Sequence, residues 1–262
     1  MSGVRATCGR PLAQWPDLLE ATIARCANWR AVTVLRETAS TQDHARSLDV
    51  GDVVIAGRQT AGRGRLGRAW IDTAEDGIAI SANVATNSPE WISLAAAIAA
   101  AQAIEDLCRR VTGGAPAVCL KWPNDLMIAH KKVGGILVER HDRAMTIGMG
   151  INCTQQAFPA ELSSRATSLA LQGFAVDRLD LARILLERLD FWMSATEDSI
   201  ASEYATRDSL VGTRTLFRTP SGMVDGVVLR VDPSRGIIVR TSRGDQNLLA
   251  ATTSVFVPED RM

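Results

Sequence analysis

QTAGRGRLGRAW, residues 59–70, is the stretch on which the reading of this chain turns. It follows DVVIAGR at 52–58, an apolar run that reads as a buried strand, so the loop leaves the end of a sheet. Gly62, Gly64 and Gly67 admit close backbone approach, while Arg63, Arg65 and Arg68 bring three guanidiniums together. A guanidinium stays charged at any working pH, and its planar fork binds oxygen anions bidentately. The loop is therefore suited to holding an anion, and Trp70 beside it offers a face on which a base could stack. It matches neither G-x-x-x-x-G-K-[ST] nor a helix-opening G-x-G-x-x-G, which argues against a P-loop or a dinucleotide fold. On this stretch alone, an RGG-like nucleic-acid segment and a plain solvated loop stay open.

Working outward, Ser40-Thr41-Gln42-Asp43 has a hydroxyl residue followed three positions later by a carboxylate, the signature of a helix N-cap. GIAISANV at 77–84 reads as a second strand. Residues 89–111 read as a long helix stopped by Thr112-Gly113-Gly114. AVCLKW, GGILVER and MTIGMGIN supply further strands, with Pro123-Asn124-Asp125 and the HDR stretch at 141–143 as turns. Residues 176–199 read as one amphipathic helix, and residues 15–29 as a shorter one. From about Val211 the texture changes to TRTLFR, MVDGVVLRV, GIIVRT, QNLLA and TSVFV, short strands between Pro-Ser-Gly, Asp-Pro-Ser-Arg-Gly and Arg-Gly-Asp turns. That spacing predicts a small barrel. The fold expected is α+β: a mixed sheet packed with helices over 1–210, then a compact β-barrel over 211–262.

Composition narrows the function. Among 262 residues, 29 Lys and Arg balance 29 Asp and Glu, so no global field draws the chain to nucleic acid or a membrane, and any anion site is local. Five scattered cysteines, Cys8, Cys26, Cys108, Cys119 and Cys153, form no C-x-x-C pair and read as reduced thiols of a cytoplasmic protein. His44, His130 and His141 lack metal-ligand spacing. The N-terminus has no signal-peptide core, and the alanine-rich run at 94–104 is too short to span a bilayer.

The ordered set STQ at 40–42, QTAGRGRLGRAW, KWPNDLMI, KKVGGILVE and IGMGIN resembles the catalytic domain of biotin-protein ligases, closely over 33–155 and less closely through the C-terminal barrel. The resemblance implies a class II synthetase-like catalytic fold with an SH3-like barrel behind it. It also implies a two-step reaction. ATP, with Mg2+, activates biotin to biotinyl-5′-AMP and pyrophosphate; a lysine of a biotin carboxyl carrier protein then takes the acyl group. A lipoate- or octanoate-protein ligase of the same superfamily is the nearest alternative, and a non-catalytic nucleic-acid-binding protein a more distant one.

By the same resemblance, Ser40, Thr41, Gln42, Gln59, Gly62, Arg63, Gly64, Arg65, Lys132 and Gly135 contact biotin. Arg65, Arg68, Trp70, Asn124, Lys132 and Asn152 contact ATP, and Asp125 is the candidate magnesium ligand. Lys132 and Arg65 carry the catalytic role, with fixed cations offsetting the repulsion between a carboxylate and a triphosphate. Lys131 is the neighbouring decoy. Gly134 and Gly135 let the strand backbone lie against the ligand ring. Two departures stand out: Gln42 replaces the usual Asn of the Ser-Thr-Asn triplet, and Gly134-Gly135 replaces the more usual alanine-glycine. About thirty residues precede the catalytic region, so the implied type lacks an N-terminal DNA-binding domain, binds neither DNA nor membrane, and is a monomer or weak homodimer. A glycine-rich, like-charged loop is expected to gain order only when an anion screens it.

Overall fold

The computed structural model describes residues 9–71, 75–86, 88–141, 144–233 and 236–256. Cys8, most of the HDR turn and the middle of the Asp-Pro-Ser-Arg-Gly turn lie outside these. In chain order the first elements are α1 (Trp15–Ile23), β1 (Ala31–Thr38), α2 (Thr41–Ala45) and β2 (Asp52–Gln59). The glycine-arginine stretch folds into a small hairpin, β3 (Gly62–Arg63) and β4 (Ala69–Trp70). Next come β5 (Gly77–Val84), α3 (Ile92–Thr112), β6 (Cys119–Lys121), β7 (Asp125–Ile128), β8 (Lys131–His141) and β9 (Ala144–Asn152). The helices α4 (Ala160–Ser163), α5 (Arg178–Met193) and α6 (Glu197–Arg207) lead to β10 (Arg214–Thr219), β11 (Gly222–Asp232), β12 (Gly236–Thr241), β13 (Gly244–Leu248) and β14 (Ser254–Val255).

Seven strands make one mixed sheet in the order β1-β2-β5-β9-β8-β7-β6, with β1 parallel to β2 and the other neighbours antiparallel. The period of two decides which face does what. Ile78, Ile80, Ala82 and Val84 of β5, with Ile147, Met149 and Ile151 of β9, join the core with α1, α3 and α5. On β5 and β9, the intervening Ser81, Asn83, Thr146 and Gly148 turn to the opposite face, where α2 lies. The alanines of α3 are buried along its length, so α5 and the sheet approach closely; Gly113, in left-handed backbone at φ 77°, ends the helix.

Some elements were hidden in the sequence. The expected helix over 176–199 is two helices: α5, capped by Asp177, stops at Met193, and Thr196 starts α6 by accepting from Ser199 N–H at 3.3 Å. A hydroxyl that takes a backbone N–H competes with helix continuation, and this one does so. β1, with no alternating burial, and β7, four residues after a turn, lacked a readable period.

The C-terminal strands form an antiparallel sheet, β13-β12-β11-β10-β14, the small SH3-like unit expected. Its core of Leu210, Phe217, Val228, Ile237, Val239 and Leu248 includes Trp122, the tryptophan of KWPND, which meets Phe217 edge-on at 6.4 Å between ring centroids. The turn that presents Asn124 and Asp125 is thus pinned from behind by the second core. Among the described residues no helix is long and apolar enough to cross a membrane.

Candidate active site

One cavity, of about 440 Å³ with its open mouth, lies between α2, the β3–β4 hairpin and the sheet. Its inner end is neutral and buried. Ser40 caps α2, its Oγ accepting from Asp43 N–H at 3.4 Å. Gln59 Oε1 accepts from Thr41 N–H at 2.8 Å and from Thr41 Oγ1 at 3.1 Å. Ser81 Oγ lies 2.9 Å from Thr41 Oγ1 and 3.0 Å from Gln42 Oε1, and Gln42 Nε2 donates to the Thr146 carbonyl at 3.1 Å. Ser40, Thr41, Gln42, Gln59 and Ser81 are all under 10% exposed, so these bonds hold a preformed polar wall. The extra methylene of Gln42 finds room because Gly148 has no side chain: a Cβ there would collide with Gln42 Oε1. Ser81 and Gly148 were missed from sequence, because a serine in a wholly buried strand and a glycine in MTIGMGIN carry no signal until the strands are paired.

The outer end is charged. Lys132 reaches it through a bulge: β7 and β8 pair Leu126 with Gly134 but Met127 with Lys132, so Val133 is the extra residue and Lys132 swings to the face shared with Gly135. Its Nζ lies 2.5 Å from Asp125 Oδ1 and 5.9 Å from the Trp70 ring centroid. Gly135 leaves room for this path, since a Cβ there would lie 3.2 Å from both Lys132 Cε and Nζ. Gly134 does not face the cavity as expected. Its missing Cβ points at Leu126 and the Gly150 carbonyl on the core side, because consecutive strand residues face opposite sides of the sheet. The Trp70 ring lies on Gly150 as the floor beside Lys132. Lys131 turns away and donates to the Ser163 carbonyl at 3.0 Å.

The arginines divide. Arg65 donates to Asn124 Oδ1 and to the Thr253 carbonyl of the C-terminal unit, each at 3.4 Å. Burial lowers its pKa, and Asp125 opposes that, so the guanidinium is partly desolvated and directed at the site. Asn124 Nδ2 donates to the Ile136 carbonyl at 2.8 Å. Arg63 lines the cavity while its guanidinium is paired with Asp43 at 2.5 Å. Gly62 and Gly64 belong to the hairpin, which Gly64 N–H closes on the Arg68 carbonyl at 2.7 Å, and Arg68 is exposed. Asp43 and Asp125 lie beside the loop's arginines and offset part of their like charge. Asn152 stands apart from the cavity lining. It is buried at the end of β9, donates to the Thr167 carbonyl at 2.9 Å and accepts from Gln155 Nε2 at 3.4 Å.

A chamber with a neutral hydroxyl-and-amide end and a cationic, glycine-lined end suits a ligand with an uncharged polar head and an anionic tail. Known proteins resemble this chain. The biotin/lipoate A/B protein ligase family model matches residues 31–155. The chain is 33% identical over 240 residues to the biotin–[acetyl-CoA-carboxylase] ligase of Mycobacterium tuberculosis, covering 85% of this chain and 88% of that one. It is 32% identical over 234 residues to the bifunctional ligase/repressor BirA of Bacillus subtilis, covering 81% and 70%. Among solved structures, the biotin protein ligase from Aquifex aeolicus in complex with biotin and ATP superposes with a TM-score of 0.76 at 25% identity, over 87% of this chain and 99% of that one. The chain belongs to the biotin/lipoate A/B protein ligase family. Within that family its likeness is to the biotin–[acetyl-CoA-carboxylase] ligases.

Proposed function

We propose that this protein forms biotinyl-5′-AMP from biotin and ATP and then biotinylates one lysine of a biotin carboxyl carrier protein. The observation that carries this reading is the polarity of the cavity: Thr41, Gln42, Gln59 and Ser81 at a buried neutral end, Lys132 and Arg63 at the other, with Arg65 bonded to Asn124 beside them. Biotin has that polarity, a neutral urea head and a carboxylate tail. A lipoyl or octanoyl chain has no hydrogen-bonding head, and a wall of buried dipoles discriminates strongly against a ligand that leaves it unpaired.

In the first step a biotin carboxylate oxygen attacks the α-phosphorus of ATP. The new P–O bond forms as the bond to the pyrophosphate bridging oxygen breaks, and pyrophosphate leaves with the electron pair. Lys132, drawn off Asp125, sits between carboxylate and α-phosphate and lowers their mutual repulsion; Arg65 holds phosphate oxygens from the hairpin side. Asn124, Arg68 and Trp70 border the nucleotide, and Asn152 braces the end of β9 behind it. In the second step the neutral amine of the acceptor lysine attacks the acyl carbon, AMP departs, and the amide nitrogen releases a proton to solvent.

Magnesium enters this reading with the substrate. Among the described residues no three acidic, histidine or cysteine side chains converge to hold a metal, and Asp125 is already paired with Lys132. One carboxylate suits an ion that arrives on ATP phosphates and keeps several of its waters. The domain division at 210/211, a cytoplasmic location and a monomer or weak homodimer complete the proposal.

Biotin-dependent exchange of labelled pyrophosphate into ATP tests it. Exchange is expected with biotin and Mg2+ and absent with lipoate or octanoate; exchange no greater than in a no-biotin control overturns the reading.

A further inference from the structure

The β3–β4 hairpin that covers the cavity cannot hold itself in place. It has two residue pairs, Gly62 with Trp70 and Arg63 with Ala69, and a tip that exposes Leu66, whereas even longer isolated hairpins are marginal in water. Something outside it must keep it down. Arg65 contributes two long hydrogen bonds. Trp70 packs its ring on Gly150, and the charged tie is Arg63, whose Nη2 lies 2.5 Å from Asp43 Oδ1 and 3.9 Å from Glu139 Oε2. Arg46 completes a ring of alternating charge, 3.1 Å from Asp43 and 2.9 Å from Glu139, and its Nε donates to His141 Nε2 at 3.1 Å. Asp43 comes from α2, beside Gln42, and Glu139 from β8, the strand of Lys132. The ring therefore joins the hairpin to both walls of the cavity.

We infer that Asp43 and Glu139 latch the glycine-arginine hairpin over the cavity through Arg63, and so act as positioning residues that retain the activated acyl group until the acceptor lysine arrives. The inference rests on the function proposed above. The ring is solvent-accessible, with side chains 27–48% exposed, so salt screens it, while the buried polar wall is insensitive to salt.

Asp43→Asn and Glu139→Gln, singly and together, test this. After one turnover with biotin, ATP and Mg2+, spin filtration reads how fast the adenylate leaves, and labelling of serum albumin reads its escape to bystander lysines. Release from the double variant is expected to be about three- to tenfold faster at low salt, the scale of one or two exposed ion pairs acting together. High salt should bring the wild type up to the variant, and exchange at saturating substrates should stay unchanged. Tryptic cutting within 63–68 of the ligand-free protein should accelerate in parallel. Because Asp43 also lies in the first turn of α2, an effect confined to Asp43→Asn overturns the latch in favour of a helix effect. Release and tryptic cutting equal to wild type overturn it as well. If the wild type shows no biotin-dependent exchange, the functional reading fails, and tryptic cutting alone decides the latch.

Discussion

The two ends of the cavity are built on opposite principles. At the inner end, Thr41, Gln42, Gln59 and Ser81 are buried, uncharged and bonded to one another and to the backbone. At the outer end the groups are charged and partly exposed: Lys132 pairs with Asp125, Arg63 with Asp43, and Arg65 donates to Asn124. A buried neutral network is rigid because any change of partner leaves a polar atom unsatisfied. A half-exposed ion pair is worth little and can be exchanged for a ligand's phosphates. The contrast assigns recognition to the first end and rearrangement, with chemistry, to the second.

The largest expected effect comes from the charged end. Lys132→Ala removes the cation that the proposed function sets between the reacting groups and should lower kcat for biotin-dependent exchange by about a hundred- to a thousandfold, with a smaller change in KM for biotin. Near-wild-type kcat would dissolve the division of labour. Next is the neutral end, where Gly148→Ala forces a methyl into the Gln42 amide. Overpacking a close-fitting site by about 1–3 kcal/mol should raise the KM for biotin about ten- to a hundredfold and spare kcat. Gln42→Asn in that background, one methylene shorter, should recover part of the loss, and failure to recover would mean that the wall is not set by this contact.

The smallest effect lies at the junction with the C-terminal unit and leaves both ends alone. Asp208 Oδ1 accepts from Leu210 and Val211 N–H, while its Oδ2 is buried without a hydrogen-bond partner among the described residues. Burial raises its pKa above the ordinary 3.8, against the pull of those two backbone bonds. Folding therefore favours the protonated form relative to the unfolded chain, and this group's contribution to stability falls as pH rises from the ordinary carboxylate range through the raised value. Asp208→Asn keeps the acceptor without the charge. Its melting temperature should match the wild type near about pH 3 and exceed it by no more than about 2 °C at neutral pH, with exchange unaffected.

How much was legible follows the same contrast. The charged end announces itself, because Arg63, Arg65, Lys132 and Asp125 sit in motifs whose spacing survives as linear sequence. The neutral end was half legible: Ser40 to Gln42 and Gln59 are motif residues, but Ser81 and Gly148 acquire meaning only when β5 and β9 place them against Gln42. The bulge that aims Lys132 depends on strand pairing, which no local pattern encodes. Trp122 reads as part of KWPND, yet it is a core residue of the C-terminal unit, since only the assembled fold brings Phe217 to it. Long elements with strong periods, such as β5 and α3, were readable; the α5–α6 break was not, because one threonine hydroxyl decides it.

The most direct test is to isolate the intermediate and chase it. The protein is incubated with biotin, Mg2+ and ATP labelled at the α-phosphate, gel-filtered, and mixed with a biotin carboxyl carrier domain. The expected result is biotinyl-5′-AMP that elutes with the protein and then discharges labelled AMP as one carrier lysine gains the biotinyl group. No label eluting with the protein, or equal retention when lipoate replaces biotin, would contradict the account.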